Sequence, residues 1–153
     1  MDYNAVSCGV AGQTGTLPAG AKEKIHAAAE ELFKSGLRRF LIAVTGEAAL
    51  SFAESALAFR EQSPDAGIDL LIPFDGWIDD QPDGARYRKI TAQAESVNYS
   101  CDEEYEDSID ICNTQLIGFG RCTVFIYGSG NETMRELAGE SRDAGQDVKE
   151  IIL

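Results

Sequence analysis

The sequence predicts a three-layer α/β domain with a mostly parallel central sheet of about six strands. Three observations lead there. Short apolar runs alternate with longer segments of helical period, which is the pattern of strands and helices stacked in layers. Several of the runs are apolar at nearly every position, as strands covered on both faces must be. Consecutive strands are separated by helices, and such crossovers join parallel strands with a right-handed sense. A chain of 153 residues that is 44% hydrophobic supplies one core, so a single domain spanning residues 1–153 is expected.

The elements follow in order. "NAVSCGV", from Asn4 to Val10, is strand-like, and "AGQTGTLP" after it is a glycine-rich loop. "AGAKEKIHAAAEELFKSG" carries an apolar stripe of Ile25, Ala28, Ala29, Leu32 and Phe33, the spacing of an amphipathic helix, and Gly36 stops it. "RRFLIAVT" is the next buried strand, and the alanine-rich "EAALSFAESALAFREQ" after Gly46 is helical until Pro64. "GIDLLIPF", from Gly67 to Phe74, is the third strand, closed at Pro73. "DGWIDDQPDG" has turn chemistry throughout. "ARYRKITAQA" predicts a short helix, "ESVNYS" a short strand, and "DEEYEDSIDICNTQLIGFG" a mostly helical acidic segment. "CTVFIYG" is the clearest strand, "NETMRELAGESRDAG" a helix closed by Gly145, and "DVKEIIL" a last strand.

Composition narrows the partners. A formal charge of −13, with basic residues scattered rather than clustered, would repel a phosphate backbone or an anionic membrane, so direct nucleic-acid binding is not expected. No stretch reaches the ~18 apolar residues of a membrane span. The start, "MDYNAVSCGV", lacks a basic flank followed by a long apolar run, so a soluble, cytoplasmic protein is expected. Cys8, Cys101, Cys112 and Cys122 have neither CxxC spacing nor the density of a disulfide scaffold, and reduced thiols are the default. The carboxylates from Asp102 to Asp110 and from Asp75 to Asp83 fit no calcium-loop spacing and read as solvated faces, so neither metal nor cofactor is expected. His26, the single histidine, lies one position off its helix's apolar stripe and reads as exposed and inert. Trp77 and Phe74 could stack on a base, but packing at the mouth of the sheet is the commoner role for such rings.

Ligands of open parallel sheets bind at the carboxyl ends of the strands, near the point where strand order reverses. Four segments would gather on that rim: Cys8 to Gly15, Thr45 to Ala48, Phe74 to Gly84, and Gly128 to Thr133. The last belongs to "FIYGSGNETMREL", strand, glycine turn and helix in the order that suits an anion at a helix amino end. Its residues also admit a structural role. With Ser129 as N-cap and Glu132 three residues on, they make a Ser-x-x-Glu capping box, and Glu132 would occupy the field that a phosphate needs.

"GSGNETMRE" is similar to the PGGxGTxxE signature of the SLOG superfamily, the Rossmann-like group that includes DprA-type DNA-processing proteins and the "lonely guy" phosphoribohydrolases. Gly130, Thr133 and Glu136 match, while Gly128, Ser129 and Glu132 replace the proline and two glycines. The remainder resembles the YpsA-like branch in collinear order. "VSCGVAGQTGTLP" stands at its TGHRP-type turn, "SFAESALAFREQSPDAGIDLLIPF" at its helix and Pro-Phe strand, "ARYRKITAQAESVNYS" at its Tyr-x-x-Ile segment, and "CNTQLIGFGRCTVFIYGSG" at its Arg-Asn segment. By this resemblance Val10 and Ala11 follow Gly9 where the family has His-Arg. Gly46 and Glu47 stand in its GGAxGxD loop, and Asn113 keeps the second position of the Arg-Asn pair, with Cys112 at the first.

The resemblance implies a nucleotide or nucleotide-derived ligand bound by Gly9, Val10, Ala11, Gly46, Glu47, Asn113, Gly128, Ser129, Gly130, Asn131, Glu132 and Thr133. In the phosphoribohydrolase branch it also implies N-glycosidic cleavage, for which Glu136 is the candidate acid/base. The family's positive and flexible elements are replaced here, so sensing or sequestration is the expected role. N-glycosidic hydrolysis is the enzymatic alternative, and an interaction module without a small ligand is a third. A homodimer could form through the flat, alanine-rich helix from Glu47 to Phe59, which could equally cover the sheet.

Overall fold

The computed structural model of the chain describes residues 6–153. Its strands are β1 (Ser7–Gly12), β2 (Arg39–Ala43), β3 (Gly67–Phe74), β4 (Ser96–Cys101), β5 (Cys122–Tyr127) and β6 (Asp147–Ile152). The helices are α1 (Ala21–Lys34), α2 (Glu47–Phe59), α3 (Gly84–Gln93), α4 (Ser108–Thr114) and α5 (Glu132–Asp143). Among the described residues the six strands form one sheet in the order β4-β3-β2-β1-β5-β6, and every neighbouring pair is parallel. Asn4 and Ala5, expected in the first strand, lie outside the described residues, and β1 runs two residues past Val10 to Gly12.

This order fixes where the helices go. From β1 to β4 the chain steps in one direction, then returns past β1 to β5 and β6. Right-handed crossovers therefore put α1, α2 and α3 on one face and α4 and α5 on the other. Side chains alternate accordingly. Val10, Ile42, Leu70, Val124 and Ile126 join the core under the first three helices. Ala11, Ala43, Leu71, Phe125 and Tyr127 pack with Leu116, Met134 and Leu137 on the other face.

α2 is buried along nine of its thirteen residues, against the sheet and between α1 and α3. Of the two roles the sequence left open for it, packing against a second copy or covering the sheet, the structure shows the second. The acidic segment departs from expectation more widely: helix forms only from Ser108 to Thr114. Asp102, Glu103, Glu104, Glu106 and Asp107 would repel one another at helical spacing. They lie in turns, held where the Ser108 hydroxyl accepts from the Tyr105 N–H at 2.8 Å and the Tyr105 hydroxyl donates to Asp102 at 2.8 Å.

The second face is incompletely covered. α4 packs over β3 and β4, and α5 over β5 and β6. Between them, the carboxyl ends of β1 and β2 carry the small residues Ala11, Gly12 and Ala43 and leave an opening.

Candidate functional site

The opening is a cleft of about 360 Å³ at the β1/β5 switch point. Its floor is the β1 turn, Gly12, Gln13 and Thr14. One wall is α4, with Asp110, Asn113 and Thr114, and the other is α5, with Asn131, Thr133, Glu136 and Glu140. Reversal of strand order leaves this crevice in any open parallel sheet. Here the short α4 widens it.

Gly12 must be glycine for steric reasons. A Cβ there would sit 2.8 Å from Ala48 Cβ and 3.1 Å from Ala49 N, because the amino end of α2 presses against the end of β1. The buried Thr45 hydroxyl donates to Gly12 O at 3.2 Å and ties the β2 turn to the same point. Gln13 then spans the switch point. Its backbone N–H donates to Ile126 O at 2.8 Å, continuing the sheet, and its side-chain oxygen accepts from Gly128 N–H at 2.7 Å.

At the amino end of α5 the N-cap is Asn131, whose side-chain oxygen accepts from Met134 N–H at 3.1 Å. The capping box expected from Ser129 to Glu132 does not form. Glu132 is the first helical residue, exposed, and paired with Arg135, which also donates to Ser129 O. The carboxylate is therefore engaged by Arg135 and does not cap the loop's N–H groups. Gly128, Gly130 and Glu132 line a shallow depression beside the cleft, together with Gln13, Asn131 and Thr133.

Asn113 is the most informative residue of the cleft. It is buried, with 6% of its surface exposed, and its Oδ1 has no hydrogen-bond partner. Most buried side-chain polar atoms find partners, and an unpaired one costs stability. Next to it Cys112 turns into the core and donates to Leu71 O at 3.3 Å, and burial pushes its thiol up to about 12. That position carries no charge to offer a ligand.

The expected site residues thus divide. Asn113, Asn131, Thr133 and Glu136 come together in the cleft, and Gly128, Ser129 and Gly130 form the adjoining loop, with Glu132 at the start of α5 beside it. Gly9, Val10 and Ala11 do not join them, being buried inside β1, and the turn that serves the site starts three residues later at Gly12. Gly46 packs under the β1 turn, its Cβ direction 3.3 Å from Thr14 Cα. Glu47 belongs to the other face. Arg86 holds it at 2.8 Å, Lys22 lies at 3.3 Å, and Arg86 also pairs with Glu54. The bonds to Glu54 and then Glu47 push the Arg86 pKa upward, so this cation is committed to α2.

Sequence reasoning placed Gln13 and Thr14 on the rim, within Cys8 to Gly15, without naming them as ligand residues, and it missed Asp110, Thr114 and Glu140 as cleft residues. Glu140 carried a signal, four residues after Glu136 and so on the same side of a helix. Two expectations of minor elements stand differently. His26 is exposed but engaged, its Nδ1 2.9 Å from Ser55 Oγ and its ring 5.3 Å from that of Phe59. Trp77 is buried edge-on to Tyr87, with ring centroids 5.2 Å apart. Among the described residues no group of three His, Cys, Asp or Glu side chains could hold a metal, and no helix is long and apolar enough to cross a membrane.

Comparison with known proteins gives a fold and no family. No protein-family model and no curated protein matches the sequence. Among solved structures, DNA processing protein A from Helicobacter pylori, described for its single-stranded DNA binding mode, is similar with a TM-score of 0.70 and 14% identity. The alignment covers 96% of this chain and 65% of that one, so the chain spans about two thirds of the length of its neighbour. The likeness establishes the Rossmann-like fold. It also overturns the exclusion of nucleic acid drawn from net charge: this fold occurs in a protein that binds single-stranded DNA, and total charge does not decide what one cleft holds.

Proposed function

We propose that this chain is a ligand-binding domain of SLOG type, which holds a nucleotide-derived small molecule between α4 and α5 and senses or sequesters it. The observation that carries the reading is the Asn113 amide, buried in the cleft wall with its oxygen unpartnered. The last torsion of a side-chain amide is broad and roughly two-fold, so a half-turn exchanges the acceptor and donor ends that it presents to a ligand. The position at the switch point supports the same reading. The fold likeness supports the superfamily, and the collinear segments from "VSCGVAGQTGTLP" to "CTVFIYGSG" are the ground for the YpsA-like branch.

Binding is preferred to turnover because of the surroundings of Glu136. Its companions in the cleft wall are Asp110 and Glu140, and among the described residues no arginine lines the cleft to steady the negative charge that develops on a departing base. N-glycosidic hydrolysis remains the enzymatic alternative.

A thermal-shift screen tests the proposal with nucleosides, nucleotides, cyclic dinucleotides, NAD-derived metabolites and a single-stranded oligonucleotide. A ligand at a hundred times its Kd should stabilise by about 2.7 kcal/mol, read as a rise of several degrees. No shift with any small molecule sinks the proposal. A shift with the oligonucleotide alone assigns the site to nucleic acid instead, and chromatographic release of free base would move the reading to hydrolysis.

A further inference from the structure

We infer that the cleft accepts the unphosphorylated part of a nucleotide, a nucleoside, and that a 5′-phosphate is a handicap there. This rests on the proposed ligand class and narrows it. The first observation is an excess of acceptors. Asp110 on α4 faces Glu136 and Glu140 on α5, and among the described residues no Lys, Arg or His lines the cleft. Asn113 adds a buried oxygen without a donor. A complementary ligand is rich in O–H and N–H groups. Ribose offers a vicinal diol, the group that an acidic side chain binds in dinucleotide folds. A purine edge offers an amine beside a ring nitrogen, which the two ends of a carboxamide can read.

The second observation is independent of the first and concerns the glycine loop. Three of the loop's backbone donors are engaged within the protein. Gly128 N–H is taken by Gln13 at 2.7 Å, Asn131 N–H by Gly128 O at 2.9 Å, and Met134 N–H by Asn131 at 3.1 Å. Arg135, the cation of the loop, is drawn to Ser129 O and Glu132. A phosphate held by these groups would have to displace their partners, and at any position in the cleft it would lie beside three carboxylates. A nucleoside leaves them in place.

Isothermal titration with the four common ribonucleosides and their 5′-monophosphates tests this, on the wild-type chain and on Glu136→Gln/Glu140→Gln. At least one nucleoside should bind ten times or more tightly than its monophosphate. In the double variant that ratio should shrink toward one, as the monophosphate gains and the nucleoside loses. Unfolding curves of the variant confirm that it is folded, and Asp110→Asn on the opposite wall should shift the ratio in the same direction. Monophosphates binding as well as or better than nucleosides would overturn the inference and leave the wider ligand reading standing. If no nucleoside binds, the inference also fails, and the broader thermal-shift screen then reads separately whether any nucleotide-derived ligand is held.

Discussion

Replacing Gly12 with alanine tests the packing that forms the floor of the cleft. The added Cβ would lie 2.8 Å from Ala48 Cβ and 3.1 Å from Ala49 N. Neither neighbour can swing aside, because Ala48 has no torsion beyond Cβ and Ala49 N is backbone, so β1 and the amino end of α2 must separate. Overpacking of this kind costs about 1–3 kcal/mol. For a domain of this length that corresponds to a fall in Tm of about 2–12 °C. The control is Gly130→Ala in the glycine loop, where a Cβ meets nothing within 4 Å and φ is not positive. Its Tm should stay within the effect of an ordinary surface change, about 0.5 kcal/mol. Adding Ala48→Gly to Gly12→Ala should recover part of the loss, because it removes the nearer contact and leaves the one to Ala49 N. Thermal denaturation by circular dichroism reads all four proteins. A Gly12→Ala variant as stable as wild type would refute the close approach of α2 and with it the placement of the turn at Gly12.

Other outcomes follow from single contacts. Asn131→Ala should cost about 1 kcal/mol as an N-cap loss, whereas Ser129→Ala should change stability little; the reverse order in urea melts would restore the Ser129 capping box. Asn113→Leu removes a buried oxygen that has no partner, so the unliganded protein should melt no lower than wild type while the ligand response disappears. A drop of several degrees would mean that the amide is satisfied in the free protein. Burial pushes Tyr87 up from 10.0 to about 12. Its hydroxyl therefore contributes full stability below pH 10 and loses it as pH rises through 12, about 2–3 kcal/mol in all. Urea melts of Tyr87→Phe should show a flatter alkaline decline than wild type, and an unchanged slope would point to other groups.

Much of the fold was legible because its signals are local. "GIDLLIPF" is β3 to the residue, since a strand covered on both faces shows as a nearly continuous apolar run, interrupted here by Asp69, between turn residues. "NETMRELAGESRD" declares α5 through its 3.6-residue stripe of Met134, Leu137, Ala138 and Ser141. Fully apolar strands carry no phase, however, and nothing local in "VSCGVAG" says which glycine ends the strand. The resemblance set the turn at Gly9, whereas pairing of Gly12 with Ile126 carries β1 three residues further. Acidic residues from Asp102 to Asp107 read as helix by composition and fail as helix by mutual repulsion. The cleft itself depends on α4 crossing to the opposite face and stopping at Thr114, a consequence of strand order that no segment contains.

The most direct measurement is an amide chemical-shift titration of the isotopically labelled chain with each of the four common ribonucleosides. The account predicts that the largest changes fall on Gly12 to Thr14, on Asp110 to Thr114 and on Asn131 to Glu140, the three segments that line the cleft. Changes centred on the Lys22, Glu47 and Arg86 face, or none with any of the four at any concentration, would contradict it.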